Sequence, residues 1–268
     1  MKIINKIIRI LVWVFIPVAI IAIGMIAQNN YYNTPINEVK IEINYREKGD
    51  LNRFLTYNDI TNFINRNYDS LKGNTLNNVN LEMLQNNLLE LPYIKEVNAY
   101  STINGNIKLQ IQQRRAIVRI IDVDNNQYYL DDQRRIIPIR NKFPARVPVC
   151  NGLIPDIGFY THNYSNKELD SIVDNTILKD IFAIAKHIDD DTLMTMQIAQ
   201  IYVNNNGEFI LTPLVSKHII EFGKSEKISE KFDNLKLFYK QGLGHNKWST
   251  YRKISLKYKN QIVCTKYK

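Results

Sequence analysis

An uncharged apolar run near the N-terminus constrains this chain more than any other feature of its sequence. The eighteen residues from Ile10 to Ala27 contain no charged side chain. A helix of roughly 20 apolar residues crosses the hydrocarbon core of a bilayer, and a backbone in that core has to satisfy its hydrogen bonds internally. Residues 10–27 are therefore predicted to form a transmembrane helix, with Pro17 as a tolerated kink and Arg9 snorkelling to the headgroups.

The charges around this run predict its orientation. Three basic residues precede it: Lys2, Lys6 and Arg9. The next basic residue is Lys40, and positive charge accumulates on the cytoplasmic side of a membrane helix. Residues 1–9 are therefore predicted to be a cytoplasmic tail that precedes an external ectodomain. The rival interpretation is a cleaved signal peptide, whose apolar region spans about 7–15 residues before a small-x-small site. The run is longer here, and Met25 stands two residues before Ala27.

The composition of the ectodomain argues against several classes of function. Removing the three basic anchor residues from 35 basic and 26 acidic residues leaves 32 against 26, a net charge of +6. These charges are scattered, which favours ordinary solubility over a nucleic-acid surface. The four histidines show no metal-ligand spacing, so no metal or cofactor is predicted. Cys150 and Cys264 are too few for a disulfide framework, although the two could pair outside the cytoplasm.

A short polar linker at residues 28–35 is predicted to lead into a compact unit at residues 36–115. Period-two alternation indicates strands, and side-chain caps before apolar stripes indicate helix starts. The order is strand, helix, helix, strand, strand, in which two helices cover one face of a three-stranded sheet. The signals are alternation at Val39–Ile43, a capping box at Thr56 and Asp59, a cap at Asn80, and a hairpin turn at Asn104-Gly105.

Residues 116–268 are predicted to form a second unit, an antiparallel sheet that carries helices. One long helical stretch opens at a capping box from Ser165 to Glu168, and Ser225 caps another helix. The predicted strands are 117–123, 128–130, 136–139, 197–203, 208–212, 218–222, 253–258 and 261–266. The predicted fold class is therefore α+β, with a transmembrane helix, a βααββ domain and an antiparallel β domain carrying helices.

No catalytic constellation is recognisable, so the chain is not predicted to be an enzyme. No serine lies in a nucleophile elbow, and no histidine has a sequence partner. The carboxylates of residues 189–191 are interpreted as a solvated turn at a helix end. Cys150 and Cys264 are interpreted as unreactive thiols rather than nucleophiles.

A group of arginines raises the alternative of a basic patch that receives an acidic partner. The residues are Arg114, Arg115, Arg119, Arg134 and Arg135. If the strands around them pair, several of these side chains share one edge. We favour the simpler interpretation, in which they are ordinary strand-face and turn charges.

The last predicted strand is a candidate interaction site. Only Tyr267 and Lys268 follow residues 261–266, so nothing further along the sequence covers the far side of this strand. A strand at a sheet edge displays unpaired N–H and C=O groups. Another chain can add a strand there, with backbone bonds giving affinity and alternate side chains giving specificity. Pairing on both sides of the strand is the competing interpretation.

The motifs along the chain, taken in order, resemble the bacterial cell-division family FtsQ/DivIB in its Bacteroidetes-like form. Residues 36–115 resemble a POTRA domain, in particular at Leu88-Leu-Glu-Leu-Pro-Tyr-Ile-Lys-Glu-Val97. The other similar segments are Gln112–Val118, Tyr128–Asp132, Phe143–Val149 with Gly152, Glu221–Gly223, Lys231–Lys236 and Ile254–Tyr258. The sequence departs from the family pattern at five positions. Gln113 stands in place of a Glu, Ala116 of a Pro, Arg134 of a Gly and Ser255 of an Asp, and Lys266 lies near the position of a Trp in one branch of the family.

This resemblance implies a scaffold of the divisome that links early and late division proteins. It places the protein in the cell inner (cytoplasmic) membrane at the septum, with a periplasmic ectodomain whose residues 116–268 form an FtsQ-type β domain. The implied partners are FtsB/FtsL-type bitopic proteins and other divisome membrane proteins, and no nucleic acid. The implied partner-binding residues are Tyr258, Asn260, Ile262, Cys264 and Lys266.

Two other classes of function remain as alternatives. A POTRA-type chaperone for exported or outer-membrane proteins normally has tandem POTRA units and a barrel, and this chain shows one such unit and no room for a barrel. A membrane-anchored enzyme acting on the cell wall needs a nucleophile or metal site, and the sequence shows neither.

Overall fold

A computed structural model describes the protein in eight stretches separated by gaps. The described residues are 2–45, 53–68, 71–139, 144–158, 166–174, 176–242, 250–259 and 261–267. The chain divides into two compact units, one of residues 1–45 and 55–113 and the other of residues 46–54 and 114–268. The change of unit falls between Gln113 and Arg114, close to the boundary predicted after residue 115.

The first element is one long helix, α1 (Lys2–Tyr32), which contains Pro17. Within it, Val12–Tyr32 is long and apolar enough to cross a membrane. The prediction of a linker from residue 28 was wrong in its first part, because the helix continues to Tyr32. No glycine or proline interrupts residues 28–32, and the first such residue after them is Pro35. The hydroxyls of Tyr31 and Ser101 lie 2.5 Å apart, which fastens the end of α1 to the first unit.

The rest of the first unit has the predicted βααββ order. Its elements are β1 (Val39–Asn44), α2 (Tyr57–Asn67), α3 (Leu81–Leu89), β2 (Ile94–Ser101) and β3 (Ile107–Gln113). The strand order is β1-β3-β2, with β1 parallel and β2 antiparallel to the central β3. The hairpin between β2 and β3 turns at Gly105, whose φ is 76°.

Side-chain caps start both helices, as the sequence predicted. The Thr56 hydroxyl accepts a hydrogen bond from the Asp59 N–H at 3.3 Å, and the Asp59 carboxylate accepts one from the Thr56 N–H at 2.8 Å. Asn80 caps α3 by accepting from the Met83 N–H at 2.8 Å. Each helix then buries a stripe against the sheet, with Ile60, Ile64, Leu84 and Leu88 in the core.

Thr56→Ala is expected to destabilise α2 by about 1 kcal/mol, because the backbone N–H of Asp59 in the first turn loses its side-chain acceptor. Hydrogen exchange of the α2 amides in the full-length chain measures this change. Thr61→Ala is the matched control, since the Thr61 hydroxyl donates to the Tyr57 carbonyl inside the helix and caps nothing. Equal acceleration of exchange in the two variants would show that the capping box is not what stabilises this helix.

In the part of the second unit that the structure describes, nine strands form one sheet that carries helices, so the α+β class is confirmed. Its first half comprises β4 (Ala116–Ile121), β5 (Gln127–Asp131), β6 (Ile136–Pro138), β7 (Val149–Gly152), α4 (Asn166–Asp174), α5 (Ile177–Asp190) and α6 (Thr192–Gln197). Its second half comprises β8 (Ile198–Val203), β9 (Phe209–Pro213), β10 (Ile219–Gly223), α7 (Ile228–Leu237) with a π turn at Phe238–Gly242, β11 (Tyr251–Ser255) and β12 (Val263–Lys266). The strand order is β12-β11-β10-β9-β8-β7-β4-β5-β6.

This sheet is mixed and not wholly antiparallel as predicted, although five of its eight described strand pairs are antiparallel. Three neighbouring pairs are parallel, namely β4 with β7, β7 with β8, and β10 with β11. A parallel pair needs a long crossover connection, usually a helix. The helices α4–α6 connect β7 to β8, and α7 connects β10 to β11, so the predicted helices are what make the sheet mixed. The short strand β7 was not predicted.

Two helix starts also differ from the prediction. The long helical stretch is interrupted, and Thr176 starts α5 by accepting from the Leu178 N–H at 3.3 Å. The predicted capping residue Ser165 lies outside the described residues. At α7 the N-cap is Lys227, with φ 52° and no side-chain cap. Ser225, predicted as that cap, instead donates to the Asp180 carboxylate at 2.7 Å.

Candidate functional site

The last strand, β12, lies at one edge of the nine-stranded sheet. Among the described strands only β11 pairs with it, in an antiparallel register that places Cys264 opposite Ile254 and Val263 opposite Ser255. The register leaves residues 256–262 as a connection, so the two strands are not joined by a tight hairpin. Strand β11 ends at Ser255, so the predicted extension of this strand to Tyr258 was wrong.

The pairing of β11 with β10 fixes which of its backbone groups point toward β12. The Leu256 N–H donates to the Glu221 carbonyl of β10 at 2.9 Å. Beyond the register shift between Tyr251 and Lys253, the backbone groups of β11 alternate in direction, so those of Ile254 face β10 and those of its two neighbours face β12. Lys253 and Ser255 are therefore the β11 residues whose N–H and C=O groups face β12.

The alternation continues into β12 and defines its open edge. Thr265 and Val263 lie opposite the two β11 residues that face them, so their backbone groups point inward. Tyr267 continues this series, since its N–H donates at 3.3 Å to the carbonyl of the residue before β11. The N–H and C=O groups of Cys264 and Lys266 consequently point away from the sheet. These are the groups that an added strand would bond.

The side chains of the predicted partner-binding residues do not share one environment. Ile262 and Cys264 are half-buried and pack against the core of the second unit. Lys266 is exposed, and Tyr258, 53% exposed, lies in the connection before β12 rather than in a strand. Asn260 lies outside the described residues. Of the five residues, Cys264 and Lys266 have backbone groups that point outward, and Lys266 also has an exposed side chain; partner binding by these residues stays a prediction.

Sequence reasoning missed the side chains on the open face of β12. Val263 is 43% exposed, and Thr265 is also exposed. Both alternate along the strand with the half-buried Ile262 and Cys264. The alternation of side chains between the two faces of a strand is the sequence signal that separates the exposed pair from the half-buried pair. A partner strand on this edge would have Val263 and Thr265 as its neighbours on the open face.

The opposite edge of the sheet is less suited to strand addition. Its strand β6 has only three residues and ends at Pro138, which pairs with Tyr128. Proline has no N–H to donate, and short strands with proline are common at protected edges. Of the two ends of this sheet, β12 is therefore the edge that presents donors and acceptors in a repeating pattern.

The sheet order excludes a disulfide between the two cysteines of one chain. Both thiols are free, with Cys150 in β7 and Cys264 in β12. Five strand spacings separate β7 from β12, which amounts to roughly 24 Å, whereas a disulfide needs Cα atoms within about 7 Å. Burial raises the pKa of the Cys150 thiol and also that of Cys264. Neither environment favours the thiolate that nucleophilic chemistry requires.

Four of the five arginines considered as a basic patch have side-chain partners within the second unit. Arg114 pairs with the buried carboxylate of Asp131 at 2.7 Å. Three further contacts are Arg115 with Asp189, Arg134 with Asp174, and Arg119 with Gln127. These contacts favour structural roles for the arginines, so the patch hypothesis is not supported.

The three carboxylates of residues 189–191, predicted to be a solvated turn, are all ion-paired, and only the Asp190 side chain is largely exposed. Asp189 pairs with an arginine as described, and Asp190 pairs with Lys186. Asp191 accepts from Lys236 at 2.8 Å and caps α6. The Lys236 ammonium is the main reason that the pKa of Asp191 is lowered. No group of three or more metal-ligating side chains occurs in the part of the chain that the structure describes.

Comparison with protein families decides the identity of the second unit. The family model described as FtsQ/DivIB, C-terminal related, matches residues 115–265, which is more than half of the 268-residue chain. The chain belongs to the FtsQ/DivIB family. A POTRA-like domain matches residues 47–112 in the first unit. No curated protein matches the sequence.

Membership of the FtsQ/DivIB family identifies a cell-division protein with a POTRA domain. The family and the POTRA-like domain together indicate a divisome scaffold that interacts with other division proteins. The helix α1 fits a single-pass membrane anchor for such a protein.

Proposed function

We propose that this FtsQ/DivIB-family protein is a periplasmic scaffold that binds an FtsB/FtsL-type bitopic partner along β12. In this role it links early and late division proteins at the septum. One observation carries the proposal, namely that the backbone groups of Cys264 and Lys266 point outward from an edge at which no described strand pairs.

Strand addition at this edge gives both affinity and selectivity. Each bonded residue of the partner replaces water at a backbone donor and acceptor, worth about 0.5–1.5 kcal/mol per hydrogen bond. Val263 and Thr265 would lie beside alternate side chains of the added strand, which gives the selectivity. Lys266 adds a cation near the end of the edge that favours an acidic residue in the partner.

The anchor supports this role by restricting the protein to the membrane. With the N-terminal tail in the cytoplasm and the ectodomain in the periplasm, α1 confines the scaffold to the surface in which its bitopic partners are also anchored. Confinement to one membrane raises the effective concentration of the scaffold for its bitopic partners without any additional contact between them. A single strand addition is therefore sufficient for stable recruitment.

The POTRA-like unit is the observation that favours the alternative of a chaperone for exported or outer-membrane proteins. Depleting the protein and imaging the cells separates the two functions. The scaffold function predicts filamentous cells in which septa fail to form while outer-membrane proteins stay at normal levels. Cells that divide normally but lose outer-membrane proteins would contradict it and support the chaperone.

A further inference from the structure

The turn between β9 and β10 carries two neighbouring aliphatic side chains that are almost fully in solvent. Leu214 is 70% exposed and Val215 is 71% exposed. Isolated apolar side chains are common on protein surfaces, but adjacent ones at the tip of a turn indicate a contact surface. Neither residue belongs to β12 or to the core clusters of the second unit.

The segments next to this turn carry exposed basic residues. Tyr267 donates its hydroxyl to the Lys217 carbonyl at 3.1 Å, which joins the end of β12 to the turn. The four exposed cations are Lys217, Lys240, Arg252 and Lys266. The segments 213–219, 238–242, 250–253 and 264–267 contain no acidic residue. We call Leu214, Val215 and these four cations the basic tip.

The base of the basic tip is held in place by hydrogen bonds. The Leu214 N–H donates to the Gln197 carbonyl at 2.7 Å. Below the turn, the buried His218 ring contacts the Ser216 hydroxyl at 2.6 Å and the Tyr239 hydroxyl at 3.1 Å. The turn is thereby fixed to α6 on one side and to the π turn on the other, so its two aliphatic side chains are displayed without an ordering cost on binding.

The basic tip lies at the end of the sheet where the chain enters the second unit. Strands β4, β7 and β8 are parallel neighbours, and so are β10 and β11. Strand β9 is antiparallel to both β8 and β10, so β4, β8, β10 and β11 all begin at the same end of the sheet. Arg114 precedes β4 at that end. The basic tip and the connection to the anchored part of the chain therefore share one end of this sheet.

We propose that the basic tip binds the anionic phospholipid surface of the membrane in which α1 is anchored. Aliphatic side chains with cations nearby are typical of protein surfaces that contact the membrane interface. The apolar groups enter the headgroup boundary, and the cations contact lipid phosphates. Tyr267 fits the same region, where aromatic residues concentrate. The tether supplies the membrane, since α1 keeps the ectodomain within reach of it.

Spin labelling of the full-length chain in lipid nanodiscs tests this proposal. The label is placed at Val215→Cys in a Cys264→Ser background, where the buried Cys150 stays unlabelled. In nanodiscs containing phosphatidylglycerol, we expect the label to collide with molecular oxygen and to be shielded from a water-soluble nickel chelate. Asn205→Cys, on the exposed turn at the opposite end of the sheet, is the matched control and should remain accessible to the chelate.

The chelate result separates lipid from the other possible surroundings of the turn. Free access of the chelate to Val215→Cys would overturn the proposal by showing a turn in water. Low collision with both reagents would overturn it by showing a turn covered by protein.

Lipid charge tests the role of the four cations. Each basic residue near an anionic surface contributes about fivefold in partitioning. We expect Lys217→Gln with Lys240→Gln to reduce the partition coefficient of the basic tip onto the lipid surface roughly 25-fold. Nanodiscs of phosphatidylcholine alone should reduce it as well. Equal contact in phosphatidylcholine and phosphatidylglycerol would overturn the assignment of the anionic headgroup as the ligand.

Discussion

Cys264→Pro is expected to weaken capture of the FtsB/FtsL-type partner by the full-length protein at least about tenfold. The register makes the N–H of Cys264 one of the outward-pointing donors of β12. Proline removes this donor and places its ring in the path of an added strand, while the inward bonds of Val263 and Thr265 to β11 remain. The affinity for the purified partner pair from the same genome measures this loss.

Cys264→Ala is the matched control for this variant. Both substitutions remove the half-buried thiol from the core, and alanine keeps the backbone N–H. We therefore expect the alanine variant to bind the partner as the unmodified chain does, and the two variants to have similar thermal stability. Equal loss of capture in both variants would indicate that the Cys264 side chain, and not the edge backbone, is what the partner contacts.

Gly152→Ala is expected to destabilise the second unit strongly. The φ of Gly152 is 108°, a backbone angle that residues other than glycine rarely adopt. A Cβ atom there would lie 2.2 Å from the Val203 carbonyl oxygen and 2.8 Å from its nitrogen, both backbone atoms of the paired strand β8. Backbone cannot yield without breaking the parallel pairing of β7 and β8, so we expect a loss of about 4 kcal/mol or more.

Gly207→Ala provides the control, because it shares the positive φ without the clash. The φ of Gly207 is 67°, and a Cβ atom added there meets nothing within 4 Å. The expected cost is about 1 kcal/mol, from backbone conformation alone. Thermal unfolding of the second unit in the two full-length variants measures the difference. Similar melting temperatures would contradict the close approach of β7 and β8.

The sequence predicted the first unit well because its signals are local. A capping box, alternating strands and an Asn-Gly turn each act within a few residues, and the structure contains all of them. The N-terminal helix is likewise predicted by a single apolar run, but it continues through the polar residues 28–30 to Tyr32, which the apolar run does not indicate.

The second unit was harder to predict because its decisive contacts are distant in sequence. The mixed order of the sheet depends on crossovers, and the four residues of β7 carry no periodicity long enough to recognise. Asp131 and Asp189 could be assigned as partners of arginines only once the strands and helices were placed. The edge position of β12 could be proposed from sequence, but its outward backbone groups follow from the bond between Leu256 and Glu221.

Hydrogen exchange of the full-length chain with and without its partner tests the strand-addition proposal most directly. Peptides that cover residues 261–267 report on the amides of Cys264 and Lys266. We predict that these amides exchange rapidly in the free protein and slowly in the complex, whereas the opposite edge at β6 does not change. Partner binding that leaves exchange in residues 261–267 unaltered would contradict strand addition at β12.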